Sequence, residues 1–288
     1  MVEQTGPIDV HIHGIAGFDT KDPSPEDIIR IAQILAENGV SGFLPTVYPG
    51  SINNMRKDME NIKKAMLLQR SRGEREGAKI LGIHMEGPFL NPSRCGALDA
   101  GSFLVPTEYN LKRLIEGFED TIRVITIAPE IDGALSLIKK ISDMGIIVSM
   151  GHSDATYKDA EAGFNAGARG ITHIFNAMRG IHHREPGIAG FGLLNPHVYV
   201  ELIADPFHIH IKAIEMVFKI KDSSRIIIVS DSVKATGILS PVSDKNSILQ
   251  GGSMTITGSA DGLIGSGFEK DTVIRCIQDN PVRYLTLD

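Results

Sequence analysis

The 288-residue sequence predicts an α/β fold, a (β/α)8 barrel of the TIM type in one catalytic domain spanning 1–288. Three observations lead there. Short runs rich in Val and Ile recur eight times along the chain. They are nearly continuous in apolar character rather than alternating, as strands buried on both faces are. Helical patterns separate them, which is the order of a parallel sheet. Eight strands favour a closed barrel over an open doubly wound sheet, and no G-x-G-x-x-G follows the first run.

The expected strands are Ile8–His13, Val40–Tyr48, Lys79–Glu86, Arg123–Pro129, Ile146–Ser153, Gly170–Phe175, Val198–Ala204 and Arg225–Asp231. The first helix follows a Ser24 cap with Pro25 in its first turn, places Ile28, Ile31, Ala32 and Leu35 on one face, and ends at Gly39. A longer helix with a charged outer face fits Ser51–Arg70, and others fit Thr107–Phe118, Ala155–Asn165, Ile209–Lys219 and Phe268–Gln278. Asp132 opens a further one through Leu135, Ile138 and Ile141, closed by Gly145. After the sixth strand the chain reads as loop, with a short helix near Ala189–Leu194. Residues Ser232–Gly265 form an excursion, whose turn residues and β-like run Ser253–Thr257 suggest a hairpin over the barrel mouth.

Composition excludes several classes. The net charge of −6 is interspersed, with no basic stripe for nucleic acid. Cys95 and Cys276 are far apart and read as free thiols. No signal pattern and no apolar run of bilayer length occurs, so a cytoplasmic protein without membrane contact is expected.

Active sites of such barrels gather at the C-terminal strand ends. There stand His11 and His13, Glu86, His152, His173, His208 and Asp231. His11 and His13 are two apart, so both face one side of their strand. Imidazole and carboxylate ligands suit a zinc-like or iron-like ion, and Glu86 can bridge two. Each residue alone has an ordinary reading, as a hydrogen-bonded histidine or a helix cap. Their convergence on one end of the barrel points to a shared metal centre. His84 shares the parity of Glu86 and is read as supporting at most; His197 has no assigned role.

Read together, D-V-H-I-H-G (9–14), G-I-H-M-E-G-P-F-L-N-P (82–92), G-H-S-D-A (151–155), T-H-I-F-N-A-M (172–178), H-H-R-E-P-G (182–187), A-D-P-F-H (204–208) and V-S-D-S (229–232) resemble the N-acetylglucosamine-6-phosphate deacetylases of the amidohydrolase superfamily. The resemblance implies that Glu86, His152 and His173 are the principal metal ligands and that His11 and His13 supply a second ion. It makes Asp231 the acid–base group. Ala97, Leu98, Asn176, Ala177, Arg184, Asp205, His208 and the less securely aligned Leu263, Ile264 and Gly265 become substrate contacts. One or two divalent ions, zinc first and iron second, would activate water to split an acetamide of an amino-sugar phosphate. A homodimer is implied, with Arg184 reaching across its interface.

Three departures are visible. Leu98 stands where the family commonly has a carbonyl-polarising histidine, and leucine cannot donate a proton. Pro206 replaces the usual glycine and removes a backbone donor. Seven residues precede Ile8 and eight follow Asn280, so the family's small β-domain is expected to be missing and the barrel face it covers to favour dimerisation or poor solubility. Three other readings compete. In a cyclic amidase or deaminase a carbamylated lysine would take the bridging place that Glu86 holds. An N-acetylgalactosamine-6-phosphate deacetylase is a second, and a metal-binding barrel with little activity a third.

Overall fold

The computed structural model describes residues 6–72, 77–243 and 248–286. Among them eight parallel strands follow one another round a barrel in chain order: β1 (Ile8–Ile12), β2 (Gly42–Val47), β3 (Ile83–Glu86), β4 (Ile122–Ile127), β5 (Ile147–Met150), β6 (Gly170–Ile171), β7 (Tyr199–Ile203) and β8 (Ile226–Val229). Helices α1 (Pro25–Glu37), α2 (Ile52–Ser71), α3 (Glu108–Ile115), α4 (Ala134–Asp143), α5 (Tyr157–Ala166), α6 (Gly187–Leu194), α7 (Ile211–Ile220), α8 (Ile256–Gly265), α9 (Lys270–Ile277) and α10 (Asp279–Thr286) complete it. Ser24 caps α1 through a reciprocal pair with Asp27, as its sequence suggests. No described helix is long and apolar enough to cross a membrane.

Alternate residues of each strand face inward. Ile8, Val10, Leu44, Val124, Ile147, Tyr199 and Ile227 form an apolar interior together with Tyr284 of α10. The Tyr284 ring sits beside Tyr199, with centroids 5.1 Å apart, and is fully buried. A Cβ on Gly170 would lie 2.2 Å from its hydroxyl, so only glycine leaves room for the ring at the start of β6. Two residues further along several strands the interior turns polar. His84 bonds Thr126 at 2.9 Å, Thr126 bonds Thr172 at 2.9 Å and Thr172 bonds Ser149 at 2.7 Å.

The seam between β1 and β8 is irregular. Register with β2 slips between Asp9 and Ile12. Side chains take over the ladder's work there. The Asp9 carboxylate accepts from the His11 and Ser230 N–H groups, Thr46 accepts from Ile12, and the Val10 carbonyl accepts from His84 Nδ1 at 2.9 Å. Burial pushes the Asp9 carboxyl up to about 6. The seam then closes by backbone bonds from Asp231 to His11 at 2.9 Å and from His13 to Ser232 at 2.7 Å.

Three expectations are corrected. The sixth strand ends at Ile171 rather than Phe175, because His173, Phe175 and Ala177 adopt positive φ and turn the chain over the mouth. Ser253–Thr257 is no β-run: Thr255 caps α8, accepting from Gly258 N–H. Pairing in the excursion lies earlier, between Ser243 and Leu249 and between Val242 and Gln250, with residues 244–247 outside the described residues. The chain after Gln278 also continues as α10.

Candidate metal centre

Glu86 ends β3 and is almost fully buried on the floor of a cavity of about 540 Å3 at the C-terminal mouth. Its Oε1 lies 3.1 Å from His152 Nε2, 3.0 Å from His173 Nε2 and 3.3 Å from His11 Nε2. Its Oε2 lies 3.2 Å from His13 Nε2. Asp231 Oδ1 stands 3.5 Å from His11 and 3.6 Å from His13. Six side chains from β1, β3, β5, β6 and β8 or the loops that follow them thus converge, as the strand-end pattern predicts. They fall into two sets, Glu86–His152–His173 and His11–His13–Asp231.

Local backbone explains how they get there. His152, His173 and Asp231 have φ of 47°, 32° and 48°, in the left-handed region that non-glycine residues enter at a cost of about 1–2 kcal/mol each. Each directly follows a strand or its first turn and bends its side chain inward over the barrel axis. The β1 slip does the same for His11, whose ring meets the interior although Val10 beside it does too.

The donor chemistry fits a cation. His152 Nδ1 faces the Arg94 carbonyl at 2.9 Å, so it carries the proton and Nε2 offers a lone pair. His11 Nδ1 likewise faces Glu201 Oε2 at 3.2 Å. Both Nε2 lone pairs therefore aim at carboxylates and at further imidazoles, 3.1 Å away for His152–His173 and 3.3 Å for His11–His13. Lone pairs converging in a buried site repel unless a proton or a metal ion lies between them. Burial disfavours the His11 imidazolium, yet Asp231, Glu86 and Glu201 outweigh it and hold the ring well above the ordinary histidine range, so without an ion a proton sits at Nε2 and a bound cation would displace it. Burial would raise Glu86, and His152 and His11 instead hold it well below the usual carboxylate range.

The cavity wall holds Ala97, Leu98, Asn176, Ala177 and His208 beside the metal set. Arg94 bonds Asp154 through Nε and Nη2, Arg179 bonds the same carboxylate, and this clamp carries the loop of Ala97 and Leu98 over His152. Asp205 is buried behind His208, accepting from Phe207 and His208 N–H groups and facing His208 Nδ1 at 3.1 Å. Both donors come after Pro206, so the proline leaves this turn intact. Burial would lower His208, but Asp205 raises it above the ordinary value.

Four expected residues lie elsewhere. Arg184 is exposed on the turn closed by His182 and Glu185, with Nη1 3.1 Å from His183, and does not line the cavity of its own chain. Leu263 is buried in the hydrophobic core, while Ile264 and Gly265 end α8 outside the barrel. The substrate-loop expectation for these three is corrected, because the segment is helical and packs its apolar side on β8. Two further residues touch the metal set, one inside the barrel and one on the cavity wall. Glu201 sits mid-strand in Val198–Ala204, and a carboxylate inside an apolar run is its signal. Tyr48 stacks on His13 with centroids 4.0 Å apart and carried no motif.

The sequence profile of the Amidohydrolase family matches residues 5–267. The chain is 34% identical over 273 residues to the N-acetylgalactosamine-6-phosphate deacetylase of Escherichia coli O157:H7, covering 93% of this chain and 70% of that protein. It is 36% identical over 253 residues to the N-acetylglucosamine-6-phosphate deacetylase of Bacillus subtilis strain 168, covering 88% and 62%. The chain spans between 57 and 70% of the length of the curated relatives it matches. Among solved structures, a mutant N-acetyl-D-glucosamine-6-phosphate deacetylase from Mycobacterium smegmatis, in complex with N-acetyl-D-glucosamine-6-phosphate, superposes with a TM-score of 0.87 at 26% identity, over 98% of this chain and 77% of that one.

Proposed function

The chain belongs to the amidohydrolase family, and on that premise we propose that it hydrolyses the acetamide of N-acetylglucosamine 6-phosphate, releasing acetate and glucosamine 6-phosphate. The observation that carries this reading is Glu86, set between two pairs of histidines with Asp231 beside it on the floor of an open cavity. The names of its relatives supply the substrate class.

Glu86, His152 and His173 would hold one divalent ion, and His11 and His13, with Asp231 adjacent, a second. Three to five nitrogen and carboxylate ligands favour zinc, with iron the alternative. Such an ion lowers the pKa of water and polarises an acyl oxygen. Asp231 takes the proton from the attacking water as general base and returns it to the departing amine. Asn176, Ala177 and the loop of Ala97 and Leu98 orient the sugar. Asp205 favours the protonated form of His208 and orients its ring beside the cavity, where it binds phosphate. Arg184 serves the cavity of a second copy in a homodimer, consistent with its exposure outside its own cavity.

A second substrate, N-acetylgalactosamine 6-phosphate, is favoured by the Escherichia coli relative. Acetate release from both sugar phosphates, by zinc-loaded protein with and without chelator, tests the reading. Chelator-sensitive release from at least one is the expected result. No release from either by metal-loaded protein overturns it.

A further inference from the structure

Glu201 lies in the middle of β7 with Val200 and Leu202 facing the outer core and Tyr199 and Ile203 facing the barrel interior. It is 1% exposed and lies among the inward residues of the barrel. An isolated carboxylate in such a place is costly, so its retention needs a charged or hydrogen-bonded partner. It has one: Oε2 faces His11 Nδ1 at 3.2 Å, while Oε1 has no hydrogen-bond partner.

His11 has only two ring nitrogens. With Nδ1–H donated to Glu201, Nε2 must present its lone pair, and it presents it to the space bounded by His13, Glu86 and Asp231. The opposite tautomer would leave an Nδ1 lone pair against the carboxylate and an N–H aimed into the ion site. Among the described residues no comparable carboxylate lies behind the other ligands. His152 uses the Arg94 carbonyl, and the Nδ1 atoms of His13 and His173 are buried without a partner. His84 lies beside the same pair, its ring centroid 4.5 Å from that of His11, but both its nitrogens are engaged, with the Val10 carbonyl and Thr126. It is therefore not free to join Glu201 in holding an ion.

We infer that Glu201 is a positioning residue, which locks His11 in the Nδ1–H tautomer and thereby tunes the affinity of the His11–His13 ion site selectively over the Glu86–His152–His173 site. The inference rests on the two-site reading above. Carboxylates behind metal-binding histidines change affinity by about 10–100-fold when removed. Glutamine keeps an acceptor oxygen but loses the charge; leucine keeps the volume and loses both.

Two measurements test it. Zinc affinity is determined by competition with a chromophoric chelator for the parent protein, Glu201→Gln and Glu201→Leu. The weaker ion should bind about 10-fold less tightly in Glu201→Gln and nearer 100-fold less tightly in Glu201→Leu, with the tighter ion unchanged within about twofold. Long-range 1H–15N correlation spectra of the zinc-loaded parent protein, assigned with His11→Gln, should show His11 protonated at Nδ1. Equal weakening of both ions, or unchanged affinity in Glu201→Leu, overturns the inference. An unprotonated His11 Nδ1 overturns it too and makes Glu201 a ligand. If the parent protein binds a single ion, the two-site reading fails, and the His11 tautomer in the parent and in Glu201→Leu still decides the role of Glu201.

Discussion

Replacing Asp231 by Asn tests the proposed proton transfer apart from metal binding. The structure makes the substitution clean. Asp231 has φ of 48°, a conformation asparagine enters readily, whereas alanine there would add about 1–2 kcal/mol of strain. Its backbone position is set by its N–H bond to the His11 carbonyl, which the side chain does not share. The amide keeps an oxygen where Oδ1 faces His11 and His13, but it cannot take up a proton at neutral pH. Loss of a general base costs about 10²–10⁴-fold in kcat, or about 3–5 kcal/mol of barrier. Stability should change by less than about 1 kcal/mol, within about 2–4 °C in Tm. The assay is acetate release under saturating substrate, alongside zinc content by mass spectrometry and a thermal melt. Turnover within tenfold of the parent protein, with the ions retained, would refute the role given to Asp231.

Further tests follow from the fold. Leu98→His restores a donor to the cavity wall and should raise kcat by about tenfold or more, since a single oxyanion donor contributes about 10²–10³; an unchanged kcat would show that this position does not reach the acyl oxygen. Tyr284→Ala empties the interior end that α10 fills and should cost about 3–5 kcal/mol in urea denaturation, with Tyr284→Phe losing far less. Gly170→Ala should destabilise by about 1–3 kcal/mol, because its Cβ would stand 2.2 Å from the Tyr284 hydroxyl, and Tyr284→Phe should recover part of that loss. Asp58 on α2 is pushed up to about 6 by burial, against the Asp22 N–H that it accepts. A carboxyl raised in the native state costs stability as pH climbs from about 4 through 6, so Asp58→Asn should stabilise at pH 7.5 by up to about 3 kcal/mol and be neutral below about pH 4. A gain that persists at pH 3.5 would contradict this.

The barrel was legible because its strands need burial on both faces, which shows as unbroken apolar runs such as Arg225–Asp231. The six metal-centre residues were legible because they stand where those runs stop. What escaped depends on backbone twists and on long-range pairing. Ile171–Phe175 reads as a strand by composition, yet the positive φ of His173 and Phe175, which turns the ring toward Glu86, leaves no mark in residue type. The helix α8 carries three glycines, Gly258, Gly262 and Gly265, whose weak helical propensity masks it in the sequence despite the Thr255 cap. Glu201 carries a signal, a charge amid Val, Leu and Ile, but its pairing with His11 is visible only once β8 meets β1 and brings β7 within reach. The slip between Asp9 and Ile12 is likewise a property of the pairing of β1 with β2 and not of the segment D-V-H-I-H.

The seam between β1 and β8 has a consequence for assembly. Glu86, His152 and His173 come from the middle of the chain, whereas His11 and Asp231 meet only when the first and last strands join. The first set needs only the segment from β3 to β6 to be in place. The second requires the first and last strands to meet, a contact of high sequence separation and so slow to form. On the proposed roles, the first ion would have its ligands before Asp231 stands beside it, so a partly folded chain would hold metal without being able to use it.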